Sequence, residues 1–190
     1  MDHPRRNIEL KARDPDPSTS LEVCRAIGAA DHGEIRQCDT YFNVTSGGLK
    51  LREESPGRPH LIQFVRANEP QQRESQYRII EVDNGSVLRA ALTETIGIRQ
   101  VVEKRRRLLL WRDVRIHLDR VEQLGDFIEL EAVAPAGSDL TAEHRLIEEL
   151  RAALSITDDR LVSLGYAALL PGQWGSDGAD VRARAAAEGG

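Results

Sequence analysis

Charged residues that could bind a polyanion or a metal ion alternate with apolar residues near the start of the chain. In the stretch 7–13, Asn7, Glu9, Lys11 and Arg13 are separated by small or apolar residues. Successive side chains of a β-strand point to opposite faces, so these four would share one face. A single strand of this kind is typical of a half-buried sheet whose polar face meets water.

The same alternation returns in four later segments of the chain. Their charged faces carry Lys50 with Arg52, Lys104 with Arg106, His117 with Asp119, and Glu129 with Glu131. Cations collect on some strands and acids mainly on others, although a sheet that faces solvent has no need to sort its charges by strand. We therefore predict a closed barrel whose charged faces point inward around one cavity. An exposed, ion-paired strand face is the alternative for each segment.

Short strands and a few helices make up the predicted secondary structure. Strands are expected at residues 7–13, 35–44, 48–53, 60–67, 98–106, 108–112, 114–121 and 126–133, with a loop at residues 68–75 and residues 76–82 extended or irregular. Helices are expected at residues 18–28, 84–96, 141–154 and 158–169. About eight strands with short turns favour an eight-stranded antiparallel closed barrel, mainly β within the α+β class, which the helices cover. Such a barrel leaves room inside for one small ligand.

The length of 190 residues fits one domain, which we place at residues 1–171. Residues 172–190 are mainly Gly, Ala, Asp and Arg, and they are predicted to be a disordered tail. No apolar run is long enough to span a bilayer, and the first residues lack the apolar core of a signal peptide. The sequence therefore predicts a cytoplasmic protein with no membrane partner, in which Cys24 and Cys38 are reduced thiols.

The net charge of -5 argues against a nucleic-acid-binding protein, because such proteins usually carry an excess of cations. If the protein binds a phosphate ligand, its positive groups must therefore be gathered at specific positions, because they are not in excess over the chain as a whole. Of the 26 basic residues only three are lysines, namely Lys11, Lys50 and Lys104, and all three lie on the charged strand faces. Lysine at these positions suggests a need for a compact point charge.

Six segments, taken in order, resemble the CYTH or triphosphate tunnel metalloenzyme family, which includes class IV adenylate cyclases, thiamine triphosphatases and inorganic triphosphatases. The segments are residues 7–13, 37–42, 48–53, 61–66, 104–106 and 117–131. Each segment is weak evidence alone, but six in the family's order between residue 5 and about residue 170 are specific. The chain is most similar to the class IV cyclases.

The resemblance implies a tunnel in which cations hold a small-molecule triphosphate such as ATP and acids hold Mg²⁺ or Mn²⁺. The triphosphate would be bound by Lys11, Lys50, Arg52, Arg66, Lys104 and Arg106, with Arg13 as a weaker member. The metal would be held by Glu9, Asp119, Glu129 and Glu131, because hard divalent ions prefer oxygen ligands. Glu9 and Lys11 are the residues expected to take part in catalysis. The resemblance also hints at a homodimer.

Asn7 departs from the family's signature, which has a glutamate two residues before the position of Glu9. One carboxylate is therefore missing for a second metal ion and for the activation of a hydrolytic water. Asp39 and Tyr41 share a strand face, but turn and packing roles explain them equally well. His117 is better explained as a polar wall residue than as a ligand, because a single histidine without neighbours at metal-ligand spacing is common. These four are the weaker site candidates.

Three functions fit these residues. An adenylate cyclase would join the 3′-oxygen of ATP to its α-phosphorus and release pyrophosphate. A triphosphatase would hydrolyse inorganic or organic triphosphate, and a repurposed tunnel would bind a phosphorylated ligand without turnover. Asn7 favours cyclisation, and the aromatic content of 4% argues against the stacking that thiamine triphosphate needs. We expect a metal-dependent cyclase that acts on a nucleoside triphosphate, with hydrolysis as the alternative.

Overall fold

Eight antiparallel strands close into a barrel in the computed structural model, which describes residues 4–66 and 71–171, without the side chain of Arg66. The strands are β1 (Arg5–Arg13), β2 (Ala30–Phe42), β3 (Gly48–Ser55), β4 (His60–Arg66), β5 (Arg73–Glu81), β6 (Ile98–Trp111), β7 (Val114–Val121) and β8 (Gly125–Ala134). Their order around the barrel is β1-β5-β4-β3-β2-β6-β7-β8, and β8 pairs with β1 to close it. The predicted mainly β, eight-stranded antiparallel barrel is confirmed.

Two of the predicted strand assignments were wrong. Residues 98–106 and 108–112 form one continuous strand, β6, because the run from Arg105 to Leu108 holds no turn-forming residue and β2 and β7 pair along it. Residues 73–75 were expected to be a loop, and residues 76–82 were left as extended or irregular. Instead, Arg73–Glu81 form β5, which pairs with both β1 and β4. Joining two predicted strands into β6 and adding β5 leaves the number of strands at eight.

Helices α1 (Pro17–Ala26), α2 (Gly85–Ile96), α3 (Thr141–Ala153) and α4 (Tyr166–Leu169) connect or cover the strands, with a 3-10 turn at Asp158–Arg160. The N-cap of α1 is Asp16, two residues before the predicted start, because its carboxylate accepts a hydrogen bond from the backbone N–H of Thr19 at 3.2 Å. The helix predicted over 158–169 is instead the 3-10 turn and α4, with residues 161–165 between them.

The main apolar core lies outside the barrel wall. Apolar side chains on the outward faces of β1, β6, β7 and β8 pack beneath α1 and α3, and Ile8, Ile116, Leu130, Ile147 and Leu150 are fully buried there. Burial of such side chains is the dominant stabilising contribution to a fold. Because the outward faces supply this core, the inward faces can carry polar residues.

A second apolar cluster joins α4 to the inward faces of three strands. It contains Val102 of β6, Val121 of β7, Phe127 of β8, and Tyr166 and Leu170 at α4. The rings of Phe127 and Tyr166 meet edge to face with their centroids 5.0 Å apart. This cluster seats α4 at one end of the barrel, and Tyr166 also lines the polar interior.

No helix within residues 4–66 and 71–171 is both long enough and apolar enough to cross a membrane. The tail predicted at residues 172–190 lies outside the described residues.

Candidate active site

A cavity runs into the barrel, and side chains from all eight strands line it. It encloses about 750 Å³ of empty space, part of which is open to solvent. Of the residues predicted from the sequence, the lining includes Asn7, Glu9, Lys11, Tyr41, Lys50, Arg52, Lys104, Arg106, Glu129 and Glu131. The charged side chains of β1, β3, β6 and β8 named here therefore point into the barrel.

Asp39 is the centre of the cationic part of the site. Its carboxylate is fully buried and lies against three cations from two neighbouring strands. Arg52 donates two hydrogen bonds of 2.7 Å to it, and the Nζ atoms of Lys50 and Lys104 lie at 3.1 and 3.0 Å. The carboxylate thus holds in place three of the cations that were predicted to bind phosphate.

The charge states of this group follow from burial and mutual attraction. Burial alone would raise the pKa of the Asp39 carboxyl, but attraction by Arg52, Lys104 and Lys50 outweighs it and holds that pKa well below its usual value. Burial lowers the pKa of Lys104 to about 7, although Asp39 opposes the shift. Burial and repulsion by Arg52 lower the pKa of Lys50 to about 8. Both ammonium groups therefore lose their proton at a pH far below that of an exposed lysine, close to the neutral range.

A second charged network connects β1, β6, β7 and β8. Arg106 binds the two carboxylate oxygens of Asp119 at 2.6 and 2.5 Å, and its Nη2 also lies 2.8 Å from Glu129. Lys11 is opposite Glu129 in the β1–β8 register, and their charged atoms are 2.8 Å apart. The hydroxyl of Tyr166 donates to Asp119 at 2.9 Å, while the Tyr166 ring lies 4.0 Å below the Lys11 ammonium. Inside the barrel, the predicted metal-binding acids Asp119 and Glu129 are thus paired with the predicted phosphate-binding cations Lys11 and Arg106.

Glu9 lies against an arginine that sequence reasoning missed. The Arg73 guanidinium donates to its carboxylate at 2.7 Å, and both side chains are more than nine-tenths buried. Arg73 is opposite Glu9 in the β1–β5 register, and its Nη1 also contacts the backbone carbonyl of Ser163. The charge of Glu9 is therefore balanced by the protein itself.

A group that could hold a metal ion lies on β7 and β8. His117, Glu129 and Glu131 each offer a ligand atom, and these atoms lie within 4.8 Å of one another. The Nδ1 atom of His117 has no hydrogen-bond partner in the described part of the chain, and the side chain is buried. An imidazole nitrogen with two carboxylates is a chemically suitable donor set for Mn²⁺, and the acids alone also suit Mg²⁺. The residues present therefore fit a divalent ion, and His117 belongs with the acids.

Five predicted site residues are not among the described residues that line the cavity, namely Arg13, Asp39, Arg66, His117 and Asp119. Asp39 and His117 are buried in the charged groups described above. Arg13 is exposed, with its guanidinium over the Phe127 ring and a hydrogen bond to the carbonyl of Leu124. Asp119 is buried behind Arg106 and Tyr166, with both of its oxygens occupied. Arg66 ends β4 opposite Ser75, and its side chain lies outside the described residues.

An apolar and aromatic wall completes the cavity. Ile62 and Phe64 of β4 pair with Ile79 and Tyr77 of β5, and all four line the cavity. The chain has three tyrosines, and all three are in the lining, with Tyr41 edge to face against Phe64. A low overall aromatic content therefore gives no measure of the aromatic surface at the site. The cavity therefore offers an apolar and aromatic surface beside its cations.

The sequence analysis missed four polar residues of the candidate site: Ser75, Tyr77 and Tyr166 line the cavity, and Arg73 pairs with Glu9. Arg73, Ser75 and Tyr77 alternate along the chain, which is the signal of a strand with one inward face, but the loop assigned to residues 68–75 concealed it. Tyr166 follows the last strand by more than thirty residues, and no local pattern connects it to the barrel.

Solved structures with the same fold cover nearly the whole barrel. The PH1012 protein of Pyrococcus horikoshii OT3 superposes with a TM-score of 0.77 at 22% identity, over 86% of this chain and 99% of that one. A protein of Vibrio parahaemolyticus, named as a proposed adenylate cyclase, gives a TM-score of 0.67 at 19% identity, over 84% and 94%. HpAC1 of Hippeastrum, described by its dominant triphosphatase activity, gives 0.58 at 13% identity, over 85% and 91%. At these identities the likeness shows the fold.

The family follows from the sequence match. No curated protein matches the chain. The model of the CYTH domain, in contrast, matches residues 5–160, a range that contains all eight strands and the His117, Glu129 and Glu131 group. The protein belongs to the CYTH domain family, whose members are triphosphate-processing enzymes with a metal-dependent tunnel fold.

Proposed function

We propose that this protein is a divalent-metal-dependent enzyme that cyclises a nucleoside triphosphate, with ATP converted to cyclic AMP and pyrophosphate. The observation that supports it best is the division of the cavity into three walls. One wall is cationic, one carries Glu129 and Glu131 with His117 buried beside them, and one is apolar and aromatic. A nucleoside triphosphate has a matching polyanionic part, a site for a divalent ion and an organic part.

The cations would hold the triphosphate. Lys11, Lys50, Arg52, Lys104 and Arg106 all line the cavity, and each now lies against a carboxylate that a phosphate oxygen can replace. Hydrogen bonds between ionised partners are among the strongest in proteins, and fixed cations stabilise the charge that develops on a transferring phosphoryl group. Arg66 stays a further proposed phosphate ligand.

A divalent ion, bound by His117, Glu129 and Glu131, would supply Lewis-acid polarisation of phosphate oxygens. The imidazole favours Mn²⁺ over Mg²⁺ at this site, because Mg²⁺ prefers oxygen ligands alone. Glu9 would help to orient the reacting groups from β1, next to Glu131 in the β1–β8 register.

Cyclisation requires the 3′-oxygen of the sugar to bond to the α-phosphorus. The bond from that phosphorus to the bridging oxygen breaks, pyrophosphate leaves with the electron pair, and the hydroxyl proton passes to a carboxylate, for which Glu9 is the proposed acceptor. One feature favours this reaction over hydrolysis. Asn7 stands where a second β1 carboxylate would be, so β1 has one carboxylate fewer to hold a second metal ion or to activate an attacking water.

The test is to incubate the protein with ATP or tripolyphosphate, with Mg²⁺ and then Mn²⁺, and to resolve cyclic AMP, pyrophosphate, ADP and orthophosphate. Cyclic AMP and pyrophosphate in equal amounts are expected, with higher turnover in Mn²⁺. Formation of ADP and orthophosphate from ATP would mean that the enzyme hydrolyses its substrate instead of cyclising it. HpAC1 is described by such a triphosphatase activity. The absence of turnover with either metal ion would contradict an enzymatic function and favour a tunnel that binds a phosphorylated ligand without catalysis.

The metal site is tested by Glu131→Gln. Its side chain is the most exposed of the three in the group, and its nearest cation, Arg115, is 3.8 Å away, so the change costs little stability. We expect a large loss of turnover, on the order of 100-fold, which excess Mn²⁺ partly restores. The matched control is Glu103→Gln, which removes an exposed carboxylate from the outer face of β6. Equal activity of both variants would contradict the metal assignment.

A further inference from the structure

The wall formed by β1 and β5 carries neutral polar groups that the charged networks do not use. The Oδ1 atom of Asn7 and the hydroxyl of Tyr77 have no hydrogen-bond partner among residues 4–66 and 71–171, although these side chains are only 2% and 8% exposed. Both line the cavity, as does Ser75. Buried polar groups are nearly always hydrogen-bonded in folded proteins, so two unpartnered groups in one cavity point to a ligand.

The sheet register gathers these groups into one patch. Asn7 is directly opposite Ser75 in the β1–β5 ladder, and Tyr77 follows Ser75 on the same inward face. Residues that face each other across an antiparallel pair have their Cβ atoms about 5 Å apart. We call Asn7, Ser75 and Tyr77 the neutral patch.

The chemistry of the neutral patch fits an alcohol better than it fits phosphate. A carboxamide carries an acceptor oxygen as well as N–H donors, and an ionised phosphate oxygen has no proton to donate to that acceptor. The hydroxyls of Ser75 and Tyr77 can donate or accept. A ligand group that both donates and accepts, as an alcohol does, satisfies all three side chains. The neighbours of Tyr77 on the next strand are apolar, with Phe64 directly opposite it in the β4–β5 register.

A ribose carries adjacent hydroxyls of this kind between a polyanion and an apolar base. We propose that Asn7, Ser75 and Tyr77 form a subsite for the ribose hydroxyls of the nucleoside triphosphate, and that this subsite makes the enzyme selective for ribonucleotides. The proposal rests on the proposed function, because it assumes that a nucleoside triphosphate enters the tunnel. It gives Asn7 a binding role in place of a missing metal ligand.

Binding measured by calorimetry in EDTA, which prevents metal-dependent turnover, tests the subsite. The ligands are ATP, 2′-deoxy-ATP, 3′-deoxy-ATP and tripolyphosphate. We expect the wild-type protein to bind at least one deoxynucleotide about tenfold more weakly than ATP, as the loss of one hydrogen bond predicts. Tyr77→Phe and Asn7→Leu should each weaken ATP binding by about tenfold, reduce the penalty for the deoxynucleotide, and change tripolyphosphate binding by less than about twofold.

Gln76→Ala is the matched control, because Gln76 lies between Ser75 and Tyr77 but is exposed on the outer face of β5. It should leave all four affinities unchanged. Equal binding of ATP and both deoxynucleotides by the wild-type protein would overturn the subsite and leave the proposed function standing. Failure of the wild-type protein to bind any of the four ligands, in EDTA and also with Mn²⁺ present, would overturn the proposed function and the subsite together.

Discussion

At the scale of single residues, the interior of the barrel depends on paired charges. Glu9 lies against Arg73, Asp119 against Arg106, and Glu129 against Lys11 and Arg106, while Asp39 holds three cations. A buried charge that loses its partner costs about 3 to 5 kcal/mol, so each of these charges depends on its partner inside the folded barrel. A triphosphate would compete with the acids for the same cations.

The lowered pKa values of Lys104 and Lys50 predict a pH-dependent affinity for ATP. Their pKa values in the free protein are about 7 and about 8, because burial disfavours the charged form. A bound triphosphate favours the protonated lysines and raises both pKa values, so binding takes up protons above pH 7. The affinity should therefore fall as the pH rises, by about tenfold or more between pH 7.5 and 9.

Calorimetry in buffers of different ionisation enthalpy measures both the affinity and the proton uptake. The control is Lys104→Arg, whose guanidinium stays charged over this range and should flatten the pH dependence. An affinity for ATP that is constant from pH 7.5 to 9, without proton uptake, would show that the lysines are charged in the free protein.

The sequence predicts the cations of the site better than it predicts their partners. Lys11, Lys50 and Lys104 could be found because a strand shows its inward face as a local alternation. The role of Asp39 could not be found in this way, because its cations come from β3 and β6, which are 11 to 65 residues away along the chain. The same distance in sequence hid the pair of Glu9 with Arg73.

At the scale of elements, the strands divide stability and function between their two faces. The outward faces of β1, β6, β7 and β8 form the apolar core with α1 and α3, and the inward faces form the site. The sequence predicted the closed barrel because apolar and charged residues alternate in phase on several strands. Strand ends were predicted less well, because pairing with both neighbours extends β6 through residues that have no strong local preference.

This division predicts that damage to the outer core leaves the site unchanged. Leu150 of α3 is fully buried against the barrel wall, and Leu150→Ala should lower the free energy of unfolding by about 2 to 5 kcal/mol. The affinity for ATP should change by less than about twofold, because distant sites that share no contacts are nearly additive. Urea denaturation and calorimetry measure the two quantities.

Arg145→Ala is the control for this change, since Arg145 is exposed on the same helix and should shift the free energy of unfolding by less than about 0.5 kcal/mol. A loss of ATP affinity in Leu150→Ala that equals its loss of stability would mean that α3 positions the site directly.

At the scale of the whole molecule, the closed barrel couples ligand binding to stability. Cations and acids that would be solvated on a surface are enclosed here, with Lys11, Lys104 and Arg106 each at most 5% exposed. A divalent ion at Glu129 would compete with Lys11 and Arg106 for the same oxygens and leave these cations for phosphate. Metal and triphosphate should therefore bind more tightly together than separately.

The coupling between ligand binding and stability predicts that a triphosphate bound inside the barrel raises the free energy of unfolding. Tripolyphosphate at 100 times its dissociation constant should add about 2.7 kcal/mol to the free energy of unfolding, which corresponds to a rise of about 5 to 10 °C in the unfolding midpoint. Sulfate at equal ionic strength should give a much smaller rise, because a single anion cannot engage the separated cations. Thermal scans with each anion make the measurement.

Two neighbouring residues of β6 separate this effect from surface electrostatics. Lys104 points into the tunnel against Asp39, whereas Arg105 is exposed on the outer face. Lys104→Gln should lose most of the rise caused by tripolyphosphate, while Arg105→Gln, which also removes one positive charge, should keep all of it. If both variants lost the same fraction of the rise, the anion would be acting through the net charge of the protein, and the inward face of β6 would have no special part in binding. A loss confined to Lys104→Gln would place the polyanion inside the barrel, because the two side chains differ mainly in the side of the wall on which they lie.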